Sequence, residues 1–388
     1  MQGPKMEISS STGRSWVREI RVPLFMHISR GLDGNRLLTI LEHEGIDTRR
    51  PMLISGSGIT RVICSNISHG MECLSIGIDS SSNRSMDTVA GLLIRHIMEY
   101  DPTFIAGVGG GRVLDAAKYA AHTAARPLIS IPTALSHDGI ASPIVVARFG
   151  DGSSDSMVTT SPAGILLDLD IVRRAPRQTT LAGIGDLVSN LSAVQDWRLA
   201  SEHTGVKIDL LAEMLSRNAA ERFIYYVLKN HGHSNGSTIR GKSDDAGVHR
   251  SSTDPLLDDD LLVCLAEGLV QSGIAMSIAG SSRPASGAEH LISHALDRIL
   301  EHPRPHGIQV GFATVFAMAL RGSEFADITH VYEALGFPTT LDSMGISLDE
   351  FLHAVRLAPY TRKGRFTILD IVGYDDIINA IRLAYNVR

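Results

Sequence analysis

Two rhythms of hydrophobic and polar positions divide the chain. From about residue 36 to 172, short apolar runs alternate with amphipathic stretches of helical period. Met52–Gly56, Cys73–Ile78, Phe104–Val108, Pro127–Pro132 and Ile165–Leu169 read as strands, each short, apolar and closed by turn-forming or polar residues. Ile59–Ser68, Asp87–Tyr100 and Val113–Thr123 lie between them and read as helices, Asp87–Tyr100 with an apolar period near 3.6. This strand–helix repetition predicts a parallel sheet covered by helices on both faces. After about residue 176 the strand pattern stops. Thr179–Glu202, Ile208–Asn230, Asp258–Ser281, Gly287–Glu301, Val310–Leu320, Ala326–Leu335, Leu348–Leu357 and Asp375–Asn386 all carry helical periodicity.

The expected organisation is a polar tail over residues 1–15, an α/β domain over 16–176 and an all-α domain over 177–388. Within the second domain, residues 231–252 are rich in Gly, Ser, Asn and His and read as a surface loop. His231, His233 and His249 are accordingly read as solvated loop residues rather than metal ligands.

Composition narrows the function classes. At 388 residues with 44% hydrophobic content, the chain can bury substantial cores. A net charge of -6 provides no basic footprint for nucleic acid. Three cysteines, Cys64, Cys73 and Cys264, are too few and scattered for a disulfide framework or a cysteine zinc site, so a reducing, cytoplasmic setting is expected. The polar N-terminal residues lack the apolar centre of a signal peptide. The most apolar run near the motifs, Gly311–Leu320, falls far short of the roughly 20 residues of a membrane span and reads as a buried helix.

Three stretches carry candidate chemistry. Gly107–Val113 joins a strand to a helix through Gly109, Gly110 and Gly111, followed by Arg112 and Val113. Glycines let backbone N–H groups approach a phosphate, and a helix N-terminus favours negative charge. The spacing is neither G-x-G-x-x-G nor a P-loop. Next, Thr133, Ala134, Leu135, Ser136, His137 and Asp138, with Ser142 beyond, form a polar loop at the same sheet edge, where nucleotides bind in open parallel sheets. Hydroxyls there suit a nucleotide, and Asp138 suits a substrate hydroxyl. Finally, His290 and His294 lie four apart on one helix face, with His306 downstream. Neutral imidazoles bind divalent metals, and a carboxylate would complete such a site with an open position. Asp186, on an otherwise apolar helix near its start, is the best oxygen ligand, with Asp196 and Glu289 as rivals. His302 reads as a loop residue. Arg283, Arg304, Arg362, Lys363 and Arg365 are the cations available for a substrate phosphate.

Taken in order, Gly109–Gly111 with Asp115 and Lys118, Thr133–Asp138, Asp186, His290 and His306 resemble the iron-containing alcohol dehydrogenase superfamily. Within it, they resemble most the sn-glycerol-1-phosphate dehydrogenase branch, from about residue 20 to the C-terminus. The resemblance implies a nucleotide-binding α/β domain, a helical metal-binding domain and a site in the cleft. It assigns Gly109–Val113, Thr133–Ser136 and Ser142 to NAD(P)H. It assigns Asp186, His290 and His306 to a divalent metal, expected to be zinc, and Asp138, Asp186 and His294 to the substrate. The implied reaction is reduction of dihydroxyacetone phosphate to sn-glycerol 1-phosphate, by a cytoplasmic homo-oligomer with no membrane insertion. Asp79, after the second strand, suits an NAD ribose, and Ser80–Ser82 a 2′-phosphate, so both cofactors are expected. Competing readings are glycerol dehydrogenase or dehydroquinate synthase of the same superfamily, and a non-catalytic nucleotide-binding protein.

Overall fold

A computed structural model describes residues 20–79, 86–148, 154–232 and 254–387. The expected N-terminal tail, and the expected surface loop from residue 233 onward with His233 and His249, lie outside the described residues. His231 closes a helix, its Nε2 3.5 Å from Asp258 Oδ2.

The fold runs β1 (Phe25–Ser29), α1 (Gly34–His43), β2 (Pro51–Ser55), α2 (Ile59–Ile67), β3 (Leu74–Gly77), α3 (Met86–Tyr100), β4 (Phe104–Gly109), α4 (Gly111–Ala124) and β5 (Leu128–Pro132). An antiparallel hairpin of β6 (Ile144–Arg148) and β7 (Ser154–Val158) precedes β8 (Gly164–Asp168) and the short α5 (Leu169–Val172). Six strands form one parallel sheet in the order β1-β8-β5-β4-β2-β3. From β2 the chain moves outward to β3, then returns to β4 and proceeds the other way. The order therefore reverses between β2 and β4, and a crevice opens beyond their carboxyl ends. β1 is absent from the sequence reading because it is an edge strand, partly exposed along its whole length, and carries no buried apolar run.

The interior strands β2, β4, β5 and β8 are buried along their whole length because both faces are covered. Met52, Ile54 and Ile105 pack with Leu93 and Ile97 of α3 and Val113 and Ala117 of α4. Their alternates Leu53, Phe104, Ala106 and Val108 pack with Leu37 and Leu41 of α1 and Cys64 and Ile67 of α2.

The remainder is helical: α6 (Arg177–Val188), α7 (Asn190–Thr204), α8 (Leu210–His231), α9 (Asp259–Ala279), α10 (Ala288–Ile299), α11 (His306–Leu320), α12 (Ala326–Leu335), α13 (Leu341–Met344), α14 (Leu348–Leu357) and α15 (Tyr374–Tyr385). Two boundaries differ from expectation, and both concern the site. The single helix read over Thr179–Glu202 is two helices broken at Ser189, and α11 begins at His306 rather than Val310. Among the described residues, α9 is long and apolar enough to cross a membrane, but 72% of its apolar window is buried inside the protein. One apolar core joins the halves, running from Leu114, Leu135, Ile140 and Ile165 to Leu181, Ile184, Leu269 and Phe316.

Glycines set the crossing of α6 and α11. A Cβ on Gly185 would lie 2.1 Å from the Gly307 carbonyl oxygen, and one on Gly307 would lie 2.0 Å from that of Ala182. A Cβ on Gly311 would lie 2.5 Å from Gly185 Cα. The two backbones therefore touch, and Asp186 is carried alongside His306. At Gly183 a Cβ would meet the Leu135 carbonyl oxygen at 2.0 Å, so the loop after β5 also rests directly on α6.

Candidate active site

Asp186 lies in the last turn of α6, not near a helix start, because the helix ends at Val188. The Ser189 hydroxyl donates to the Asp186 carbonyl at 2.7 Å where the chain breaks. Capping cannot explain an acid at this end, since a helix C-terminus disfavours negative charge. Asp186 is 5% exposed. Its Oδ2 accepts from the Asp138 N–H at 2.9 Å, and its Oδ1 lies 3.7 Å from His290 Nε2.

Asp186, His290 and His306 offer ligand atoms that all lie within 4.8 Å of one another. The second nitrogen of each imidazole is already engaged. His290 Nδ1 lies 3.0 Å from Glu289 Oε1, and His306 Nδ1 lies 2.9 Å from Ser293 Oγ. With Nδ1–H donating to the Glu289 carboxylate, the His290 lone pair is on Nε2, facing Asp186. Burial, then the neighbouring Asp138, hold the Asp186 carboxyl well above the usual range, and burial raises Asp138 as well. Burial, then His290 and His294, push His306 well below the ordinary imidazole value, so it is neutral near pH 7. Asp186, which is buried, and the adjacent, partly buried Asp138 stand beside these imidazoles, and one divalent cation fits the charge the two acids carry when ionised.

The rival acids are also placed. Glu289 is fully buried and accepts from the Gly287 N–H at 2.5 Å and the Ser192 hydroxyl at 2.8 Å, behind His290. Asp196 pairs with Arg321 and accepts from the Ala288 and Ile368 N–H groups. Neither is among the grouped ligand atoms. A second grouping, His294, Asp297 and His306, shares His306, but Asp297 is exposed and accepts from Gln309 at 2.8 Å.

His294 stacks on His306 with ring centroids 5.6 Å apart. On the opposite side, Asp138 Oδ2 accepts from the Ser272 hydroxyl at 2.9 Å, and Ser272 in turn meets the buried Asn190 side chain. The sequence reading missed Ser272, Asn190, Ser192 and Ser293. Their available signal was an unusual density of polar residues on helices that otherwise read as core.

The glycine-rich turn lies at the reversal of strand order, as expected for a phosphate loop. Gly109 must be glycine, because a Cβ would lie 2.6 Å from Val113 Cβ. Gly110 is the N-cap of α4 with no side chain to cap it, and a Cβ there would meet open space. A Cβ on Gly111 would lie 2.2 Å from His137 Nε2, while His137 Nδ1 accepts from the Gly139 N–H at 2.9 Å. His137 is thus a neutral ring over the first turn of α4, its basicity lowered by burial. The Thr133 N–H donates to the Gly109 carbonyl at 3.1 Å and ties the two loops together. Ala134 and Ser136 are partly exposed on that loop, whereas the Leu135 side chain is in the core. Arg112 is exposed and Val113 is buried. Ser142 is buried against α9, where a Cβ on Gly273 would lie 2.7 Å from its nitrogen. Lys118 pairs with Asp115 at 2.9 Å and donates to the Ile144 carbonyl at 2.8 Å, so both serve the fold. A cavity of ≈ 480 Å³ beyond β3 is lined by Asp79, Thr88 and Arg95, and Ser80–Ser82 lie outside the described residues.

The profile of the iron-containing alcohol dehydrogenases matches residues 33–176. The glycerol-1-phosphate dehydrogenase [NAD(P)+] of Thermofilum pendens is 35% identical over 83% of this chain and 86% of its own length. That of Methanothermobacter thermautotrophicus is 33% identical over 91% and 93%. A probable glycerol dehydrogenase from Sinorhizobium meliloti superposes with a TM-score of 0.69 at 19% identity, covering 95% of this chain and 98% of that one. The sulfoacetaldehyde reductase of Bifidobacterium kashiwanohense, solved with NAD+, superposes at 0.65 with 13% identity, covering 96% and 100%. The structural likenesses show the fold, and the sequence relatives show more: the chain belongs to the glycerol-1-phosphate dehydrogenase family of the iron-containing alcohol dehydrogenases.

Proposed function

We propose that the protein reduces dihydroxyacetone phosphate to sn-glycerol 1-phosphate with NAD(P)H, and so supplies the glycerol phosphate backbone of archaeal-type membrane phospholipids. The observation that carries this reading is the convergence of Asp186, His290 and His306 beside the loop after β5, next to the uncapped glycine-rich start of α4. One oxygen and two nitrogen donors suit zinc with an open position. A bound cation supplies Lewis-acid polarisation of the substrate carbonyl, and the nicotinamide supplies the hydride.

The chain's own residues do the positioning. Asp186, His290 and His306 would hold the cation, with Glu289 and Ser293 setting the ring orientation of the two imidazoles. Asp138, held by Ser272, accepts a hydrogen bond from the substrate hydroxyl. His294, stacked on His306, delivers a proton to the oxygen that becomes the C2 hydroxyl. Backbone groups of Gly109–Val113 and Thr133–Ser136, with Ser142, hold the dinucleotide, and the helix N-terminus favours its pyrophosphate. Asp79 at the cavity beyond β3 takes the ribose. The enzyme works as a cytoplasmic homo-oligomer.

The test is NAD(P)H oxidation with dihydroxyacetone phosphate, followed by enantiomer analysis of the product, with glycerol and both glycerol phosphate enantiomers as substrates for the reverse reaction. Formation of sn-glycerol 1-phosphate supports the reading. A preference for unphosphorylated glycerol, or formation of the other enantiomer, would overturn it.

A further inference from the structure

Of the five cations considered for an anion, two go elsewhere. Arg304 donates to the carbonyls of Met344 and Ser343, and Lys363 is exposed. Of the other three, Arg362 and Arg365 meet at Ser282, in the segment between α9 and α10, and Arg283 is its neighbour in the chain. Ser282 Oγ accepts from Arg365 Nη2 at 2.7 Å and from Arg362 Nη1 at 3.1 Å. Arg365 Nη1 donates to the Ser286 carbonyl at 3.1 Å, and Arg283 Nη2 donates to the Gly364 carbonyl at 3.3 Å. The loop carrying Arg362 and Arg365 is thus folded back onto the segment that leads into α10.

This arrangement brings three guanidiniums together. Arg365 is 8% exposed. Among the described residues, no carboxylate lies within ion-pair distance of Arg283 or Arg365. The nearby acids are committed: Asp196 to Arg321, and Glu289 to His290 and Ser192. Burial, then Arg362 and Arg283, push the Arg365 guanidinium down to about 9. A buried guanidinium is retained where it binds an anion, and its planar fork matches phosphate oxygens. Arg283 and Arg362 are only partly buried, so the cluster has an open side.

Its position relative to the metal-binding side chains suits one particular anion. Arg365 bonds the Ser286 carbonyl just before α10, four residues ahead of His290 in the chain, and it is close enough to feel the charge of Glu289, which backs the His290 ring. We propose that Arg283, Arg362 and Arg365, grouped around Ser282, form the pocket for the phosphate monoester of the substrate whose carbonyl is held near Asp186, His290 and His306. This rests on the reaction proposed above. It accounts for selection of a phosphorylated ketone over its unphosphorylated counterpart.

The experiment compares wild type with Arg283→Gln and Arg365→Met. It measures kcat/KM for dihydroxyacetone phosphate and for dihydroxyacetone, competitive inhibition by inorganic phosphate, and bound metal. Arg283 is partly exposed, so its variant keeps the test usable even where Arg365→Met fails to fold. In each folded variant the preference for the phosphorylated ketone is expected to fall roughly ten- to a hundredfold, as for loss of a charge-assisted hydrogen bond. Phosphate inhibition should weaken in parallel, with metal content unchanged. An unaltered preference in Arg283→Gln overturns the proposal. Phosphate binding that weakens in the variants while the preference stays unchanged also overturns it, and assigns the pocket to a free anion. A wild-type protein that binds phosphate at these arginines but does not turn over dihydroxyacetone phosphate overturns the proposed reaction, leaving an anion pocket without this substrate.

Discussion

Replacing Glu289 by Gln should weaken metal binding while leaving the fold intact. Three donors converge on this buried carboxylate: the Gly287 N–H and His290 Nδ1 on Oε1, and the Ser192 hydroxyl on Oε2. Glutamine has the same shape. Its oxygen can serve Gly287 and His290, and its NH2 can donate to Ser192, whose hydroxyl can reverse its role. Packing and hydrogen bonds therefore survive, and what is lost is the negative charge behind the His290 ring. That charge makes Nε2 more basic and holds the proton on Nδ1. Loss of such a partner weakens a metal site about ten- to a hundredfold, or about 1.4 to 2.8 kcal/mol. Ser293→Ala, which removes a neutral partner from His306, should cost less, about 1 kcal/mol. The assay is chelator competition for the metal with both variants, alongside urea unfolding of the metal-free proteins. A Glu289→Gln metal affinity within about twofold of wild type would refute the reasoning, as would a larger loss from Ser293→Ala.

Gly307→Ala should destabilise the protein by about 3 kcal/mol, because its Cβ would sit 2.0 Å from the Ala182 carbonyl oxygen and force α6 and α11 apart. A urea midpoint equal to wild type, with full metal content, would show that the crossing tolerates a methyl group. Gly111→Ala, whose Cβ would meet His137 Nε2 at 2.2 Å, should raise the dissociation constant for NADPH about tenfold with little change in metal affinity, as read by cofactor fluorescence titration. The pH dependence has a definite sign. Asp186 is held well above the usual carboxylate range, so the folded metal-free chain binds that proton more tightly than the unfolded chain does. Its contribution to stability is present at low pH and is lost as pH rises through the folded value. A divalent cation needs the deprotonated ligand, so the metal-induced rise in Tm should grow between about pH 5 and 8. Equal metal-induced shifts at both ends would contradict this assignment.

Much of the fold is legible without coordinates. The period of the apolar positions marks strands β2 to β5 and most of the helices, because local backbone geometry sets that period within a few residues. The glycine-rich turn and the His290–His294 pair are likewise local patterns, visible in the sequence as candidate phosphate-binding and metal-binding residues. Edge strand β1 was not legible, since it lacks the buried apolar run that marks an interior strand, whereas β6 of the hairpin does carry an apolar run, Ile144–Ala147, that went unread.

The oxygen ligand shows where local reading ends. Asp186, Asp196 and Glu289 are all acids on largely apolar helical segments, and nothing within a few residues of each separates them. Tertiary structure separates them by what lies opposite. Asp196 meets Arg321, Glu289 meets the back of His290, and Asp186 meets the Nε2 face of His290. That outcome depends on Gly185 and Gly307 allowing two helices far apart in the chain to touch. Likewise Arg362 and Arg365 read as an ordinary charged loop until the chain folds them onto Ser282. Residue types and their spacing limit which side chains could bind a metal, a phosphate or a dinucleotide. Only packing decided which of them share a site, because that is settled by how closely distant backbones approach.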